Sequence, residues 1–267
     1  MALGYLAMKK NGEALPDTAS LWRIGAWILA AATGARTVGF AMNRIVDRHI
    51  DAKNPRTAIR DLPTGKMSLR QAYTVLAFGT AIYLFAAFEL NFLCLILSPI
   101  PLAVFCIYPY LKRVTIFSHF GVGLSLALGP LGGYFAVRPV MDGSMLPAVF
   151  LMIFTWLWVS GFDIIYSTSD EEFDKREGLF SFPSRFGKEE ALRYSGMIHI
   201  FAFVLLGALY LSAFSGSLVA AALLLAAGFL LYFEQKKADD VELAFFKINA
   251  VLGFVIFAFV IIGVNLS

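Results

Sequence analysis

Asn43, Asp47 and Asp51 stand at i, i+4 and i+8, and Asp163, Tyr166, Asp170 and Asp174 stand at i, i+3, i+7 and i+11. On an α-helix each set forms one stripe, because residues three and four apart share a face. Like charges one turn apart repel, so each stripe needs a positive partner. Carboxylate and amide oxygens are hard ligands that suit Mg²⁺, which takes one or two carboxylates and completes its shell with water and substrate phosphate. Basic residues are at hand: Arg56 and Arg60 after the first stripe, Lys112 and Arg113 in a later loop, Arg185 after the second. Arginine pairs with phosphate in bidentate fashion. Two such stripes facing each other across Mg²⁺, with these cations holding the remaining charge, would grip a diphosphate. An apolar tail on that diphosphate could then run down between helices. Arg36 lies two turns before Asn43 on the same face. Tyr166 reads either as an interfacial aromatic or as a catalytic group, since it shares the acidic stripe.

The segments that carry these stripes are built for lipid. The chain has 267 residues, 59% hydrophobic and only 15% charged, with mean hydropathy +0.72. Soluble domains carry roughly 25% charged residues. Eight apolar segments are long enough to span, near 20–45, 71–89, 91–110, 116–137, 145–167, 190–212, 216–233 and 244–265. Strand alternation is absent, and a helix satisfies its own backbone in a bilayer. The expected fold is all-α, a polytopic membrane helix bundle forming a single domain over 1–267. Residues 1–8 are apolar but too short to span, and read as the tail of a first helix.

Charge sets the expected orientation. Lysines and arginines concentrate in the loops around residues 44–70, 112–113, 175–193 and 236–247, and cationic loops stay cytoplasmic. Both acid stripes are therefore predicted at the cytoplasmic face. A net charge of +3 with no basic face excludes nucleic acid as a partner. Cys94 and Cys106 lack metal-ligand spacing, and His49, His119 and His199 are scattered. Pro55 stops the helical run after Asp51, and Ser68 is placed to cap the next helix. Gly178 and Pro183 break the second acidic loop, and each loop has room for a short cytoplasmic helix.

Three motifs together carry a resemblance. Asn43-x3-Asp47-x3-Asp51, followed by Asn54-Pro-Arg-Thr57, Arg60 and Leu62-Pro-x-Gly65, resembles the first motif of the UbiA superfamily of membrane prenyltransferases. Asp163-x2-Tyr166-x3-Asp170-x3-Asp174, followed by Phe182-x2-Arg185-Phe-Gly187, resembles the second. Tyr108-Pro-Tyr-x-Lys112-Arg113-x-Thr115 resembles the loop between the fourth and fifth spans. Within the superfamily the likeness is to 4-hydroxybenzoate polyprenyltransferases, including the branch assigned to menaquinone formation by the futalosine route. The resemblance implies nine helices, the first incomplete here, around a central cavity with cytoplasmic cap loops. It implies Mg²⁺ held by Asn43, Asp47, Asp170 and Asp174 with Asp51 nearby, diphosphate contacts from Arg56, Arg60 and Lys112, and an aromatic carboxylate met by Arg36.

The chemistry so implied is electrophilic aromatic prenylation in quinone biosynthesis (ubiquinone or menaquinone), at the inner, cytoplasmic membrane. A polyprenyl diphosphate ionises, and the ring carbon ortho to a phenol oxygen attacks the allylic cation. Asp163 or Asp51 would polarise the phenol or help rearomatisation. Dihydroxynaphthoate or haem are alternative acceptors. A cation-coupled transporter is the rival from another class, disfavoured because both acid stripes lie on one side.

Overall fold

The computed structural model describes residues 1–266. Among them there is no strand, and the architecture is all-α as expected. Twelve α-helices run in order: α1 Ala2–Lys10, α2 Thr18–Asp51, α3 Leu69–Leu90, α4 Phe92–Leu97, α5 Pro99–Leu111, α6 Ser118–Phe135, α7 Leu146–Ser167, α8 Glu171–Glu177, α9 Phe182–Phe186, α10 Lys188–Leu209, α11 Leu218–Lys236 and α12 Asn249–Asn265. Seven helical stretches are long and apolar enough to cross a membrane, so this is a multi-pass membrane protein. The expected span at 116–137 is also helical, as α6, but is not among the seven. Its five glycines, with His119, Ser118, Ser125 and Pro130, dilute the apolar content.

The chain divides into two compact units. The first is Pro16–Lys112 and holds α2 to α5. Asp17 caps α2 by accepting the Ser20 amide at 2.8 Å. Ser68 opens α3 with a reciprocal capping box to Gln71. The long α2 packs against α3 and α5. Its approach to α3 is close: a Cβ on Gly34 would lie 2.7 Å from the Tyr83 amide nitrogen. The expected span at 91–110 is made of two helices, because Pro99 starts a new helix after Ser98.

The second unit joins Met1–Leu15 to Arg113 and the rest of the chain. There α7 packs against both α6 and α10, and α11 against α12. The short α1 packs on α6, α7 and α12. Arg138, just past α6, ties the segment after α1 down. Its guanidinium donates to Glu13 at 2.6 Å and to Asp142 at 2.7 Å.

Among the described residues four short stretches are helical but not α, Gly143–Met145 and Tyr210–Phe214 among them, and the other two bear on the acid-bearing segments. Leu243–Ile248 is a π-helical turn leading into α12, and Asn249 supplies a local cause. Its Nδ2 donates to the carbonyls of Ala244, at 3.0 Å, and Phe245, at 3.2 Å, five and four residues back. After α7 the chain tightens into a 3₁₀ turn, Thr168–Asp170. Ser167 and Thr168 turn their hydroxyls back onto the carbonyls of Ile164 and Ile165, competing with the α ladder. This corrects one sequence expectation. Asp163, Tyr166, Asp170 and Asp174 do not ride one uninterrupted helix but span α7, the 3₁₀ turn and α8.

Candidate active site

The first acid stripe lies in the last turns of α2, as its spacing predicts. A helix C-terminus carries partial negative charge, so Asp47 and Asp51 stand where carboxylates are least welcome. Both are also buried, at 2% and 4% exposure. Each is offset by a cation that local structure delivers. Pro55 ends the helix, Asn54 Oδ1 accepts the Arg56 amide at 3.0 Å, and Thr57 Oγ1 donates to the Asp51 carbonyl at 3.1 Å. That turn brings Arg60 back so that Nη1 meets both Asp51 oxygens, at 2.7 and 2.8 Å. Tyr108 on α5 donates its hydroxyl to the Gly39 carbonyl of α2 at 3.0 Å. One turn on, Lys112 Nζ reaches Asp47 Oδ2 at 2.6 Å. Asn43 Nδ2 donates to the same oxygen at 3.1 Å.

These cations keep donors in reserve. An ammonium has three N–H groups and a guanidinium five. Among the described residues, Lys112 and Arg60 each direct a single nitrogen to one carboxylate. Their side chains remain 30% and 24% exposed. Either can take a second anion without leaving the first.

Arg36 is exposed on α2 with its guanidinium 4.9 Å from the Phe40 ring centroid. Phe40 also borders a cavity of about 340 Å³ lined with Thr37, Ala41, Arg44, Asp61 and Met67. Arg56 is exposed in the loop after α2.

In the second unit, Asp163 lies near the end of α7 with 21% of its side chain exposed. His119, buried near the start of α6, places Nδ1 2.7 Å from Asp163 Oδ2. The other ring nitrogen lies 3.4 Å from the Phe182 amide, which donates to it. Tyr166 stacks on Phe245 with centroids 4.3 Å apart. It ends a row of rings in which Phe154 stacks on Trp158, Trp158 meets Phe162 edge-on, and Phe162 meets Phe245 edge-on. Asp170 closes the 3₁₀ turn and Asp174 sits in the first turn of α8, where the helix N-terminus favours acid. Asp174 Oδ2 accepts from Ser181 Oγ at 2.9 Å. Gly178, in the left-handed region at φ 68°, ends α8. Arg113 is partly buried where this unit begins, and Arg185 is exposed in the last turn of α9.

Two features of the second loop follow expectation, its short helices α8 and α9; the first loop has turns only. His119 and Ser181 were not legible as partners of the acids. They stand 44 and 7 residues from them, and nothing local marks the pairing with Asp163.

Among the described residues no three His, Cys, Asp or Glu side chains converge into a ready cage for a metal. The donor chemistry fits Mg²⁺ rather than a metal that needs a full protein shell. The oxygens of Asn43, Asp47, Asp51, Asp170 and Asp174 are hard donors, and Mg²⁺ keeps water and phosphate for its other positions.

Long apolar helices ending in carboxylates, with basic side chains turned back onto them, define a polytopic membrane protein with a charged site at its helix ends. The UbiA prenyltransferase family model matches residues 4–262, and the chain belongs to that family. A UbiA homologue from Aeropyrum pernix K1 is 32% identical, with TM-score 0.84 over 98% of this chain and 96% of that one. A UbiA homologue from Archaeoglobus fulgidus bound to DMAPP and Mg²⁺ shares the fold, with TM-score 0.70 over 100% of this chain and 96% of that one at 19% identity. Among curated proteins, the mitochondrial 4-hydroxybenzoate polyprenyltransferase of Schizosaccharomyces pombe is 29% identical over 63% of this chain and 45% of its own length. The 4-hydroxybenzoate geranyltransferase 1 of Lithospermum erythrorhizon is 30% identical over 70% and 58%. The 4-hydroxybenzoate octaprenyltransferase of Serratia proteamaculans is 28% identical over 87% and 78%. The chain spans about half the length of the first two of these relatives.

Proposed function

We propose that this protein transfers a polyprenyl group from polyprenyl diphosphate to an aromatic acid, 4-hydroxybenzoate, in quinone biosynthesis. The observation that carries the reading is the pairing of buried Asp47 and Asp51 with Lys112 and Arg60 in a UbiA-family chain. Such pairs keep acid and base together at helix ends where either alone is costly. Relatives named for 4-hydroxybenzoate support that choice of acceptor.

Mg²⁺ held by oxygens drawn from Asn43, Asp47, Asp51, Asp170 and Asp174 would supply positive charge to the departing diphosphate. Lys112 and Arg60 bind the same group with their spare N–H donors, joined by Arg56, Arg113 and Arg185. Arg36 orients the acceptor by its carboxylate. Asp163, Asp51 and Tyr166 are the groups assigned to the acceptor's phenol and ring proton. Aromatic walls would shield the allylic cation from water, with cation–π help. The single domain comprises the whole chain, embedded in the inner membrane with its acid stripes towards the cytoplasm.

The test uses membranes containing the protein, a polyprenyl diphosphate, Mg²⁺ and a panel of aromatic acids. The expected product is a prenylated 4-hydroxybenzoate, identified by mass spectrometry. Solute flux in proteoliposomes that lack any prenyl donor, with no adduct formed, overturns the reading in favour of transport.

A further inference from the structure

Two carboxylates were candidates for the base that restores aromaticity, and the geometry separates them. Both oxygens of Asp51 are committed to Arg60, and its side chain is only 6% exposed. Asp163 is bound through Oδ2 alone. Among the described residues its Oδ1 has no partner, and its side chain is 21% exposed.

The partner of Asp163 explains how that oxygen is held ready. In a neutral imidazole one nitrogen donates and the other accepts. Phe182 presents a backbone N–H to Nε2 of His119, so Nε2 carries the lone pair and Nδ1 the proton. The Nδ1–H then donates to Asp163 at 2.7 Å. His119 is 4% exposed and meets the ring of Phe182 at 5.9 Å between centroids. It cannot swing away without opening the Phe182, Phe120 and Phe117 cluster.

Resting on the proposed prenyl transfer, we infer that Asp163 is the base that removes the ring proton and that His119 is its positioning residue. The ring π pair forms the new C–C bond, and the C1–O pair leaves with diphosphate. The C–H pair then returns to the ring as its proton passes to Oδ1 of Asp163, and from there to water. His119 takes no proton in this scheme. It fixes the carboxylate by one N–H bond and leaves the second oxygen free.

The test compares ring-protiated with ring-deuterated 4-hydroxybenzoate, using geranyl diphosphate and Mg²⁺ with the full chain in detergent or nanodiscs. Wild type is expected to show an isotope effect near unity, with the donor's ionisation limiting. Asp163→Asn lowers kcat about 100-fold or more, leaves the KM for geranyl diphosphate within about twofold, and unmasks a primary isotope effect. His119→Ala does the same to a smaller degree. His119→Asn, whose amide N–H can occupy the Nδ1 position, recovers much of the rate and loses the isotope effect. A purely structural role for His119 would change donor KM and thermal stability without an isotope effect. Wild type that prenylates, with variants that slow without any isotope effect or do not slow at all, overturns this inference and leaves the prenyl-transfer reading standing. Wild type that makes no adduct with any acid removes both.

Discussion

Lys112 and Arg60 pair with carboxylates buried at the end of α2. Removing one partner of a buried pair leaves an uncompensated charge, which costs about 3–5 kcal/mol. Lys112→Met is therefore expected to destabilise the detergent-solubilised protein by that order, read from its denaturation curve, and to abolish turnover. Adding Asp47→Asn to the same chain restores most of the stability but none of the activity. If Lys112→Met alone leaves stability unchanged, the pair is a surface contact and the role given to it fails. At this scale the sequence was informative where residues share a helix. Asn43, Asp47 and Asp51 were legible from spacing alone, and Asn43 does bond Asp47. The partners from other elements were legible only as types: a nearby basic loop said that Lys112 was available, not that it meets Asp47. His119 carried no signal, because its pairing depends on how α6 lies on α7.

Between helices the second unit is held by a buried polar chain. Glu234 on α11 is fully buried, and its Oε1 accepts from Asn249 Nδ2 at 2.8 Å. Asn249 Oδ1 in turn accepts from Trp158 Nε1 on α7 at 2.7 Å. One side chain thus satisfies an acid, an indole and the π turn that precedes α12. Asn249→Leu leaves all three without that partner, and each unsatisfied buried group costs about 1–3 kcal/mol. The expected outcome is loss of several kcal/mol of stability and a loosened Trp158, seen as a shift in tryptophan fluorescence. Glu234→Gln keeps a carbonyl for Asn249 and is expected to be far milder. Equal stability losses in the two variants would contradict this ordering. Helix existence and type were readable from apolar runs, since every expected span is helical. Where the helix changes pitch was not readable from hydropathy. The break at Thr168–Asp170 comes from hydroxyls bonding backward, and the Ser167-Thr168-Ser169 run is the signal that would have shown it. The π turn depends on one asparagine, which no periodicity reports.

Across the whole molecule, charge is rationed. Outside the charged helix ends, Arg138 stands out as a buried cation serving two acids in the loops after α1 and α6. Its hydrogen bonds hold the Glu13 and Asp142 carboxyls below their ordinary range. The native state therefore binds fewer protons there than the unfolded chain does, so this stabilisation is present at neutral pH and fades as acid protonates the pair. The thermal midpoint of wild type should exceed that of Arg138→Gln at pH 7, and the gap should narrow below about pH 4. A gap that widens on acidification would reverse the assignment. The overall class, an all-α membrane bundle with acid at helix ends, was written in composition and spacing. The two-unit division of the chain was not, because it depends on which helices pack together.

The most direct measurement is prenyl transfer by membranes carrying wild type, Asp47→Ala or Asp170→Ala, with polyprenyl diphosphate and 4-hydroxybenzoate, with and without Mg²⁺. Wild type is expected to form an adduct that requires Mg²⁺, and neither variant to form one although both still insert. Full Mg²⁺-dependent turnover by either variant, or no adduct from wild type, would contradict that expectation.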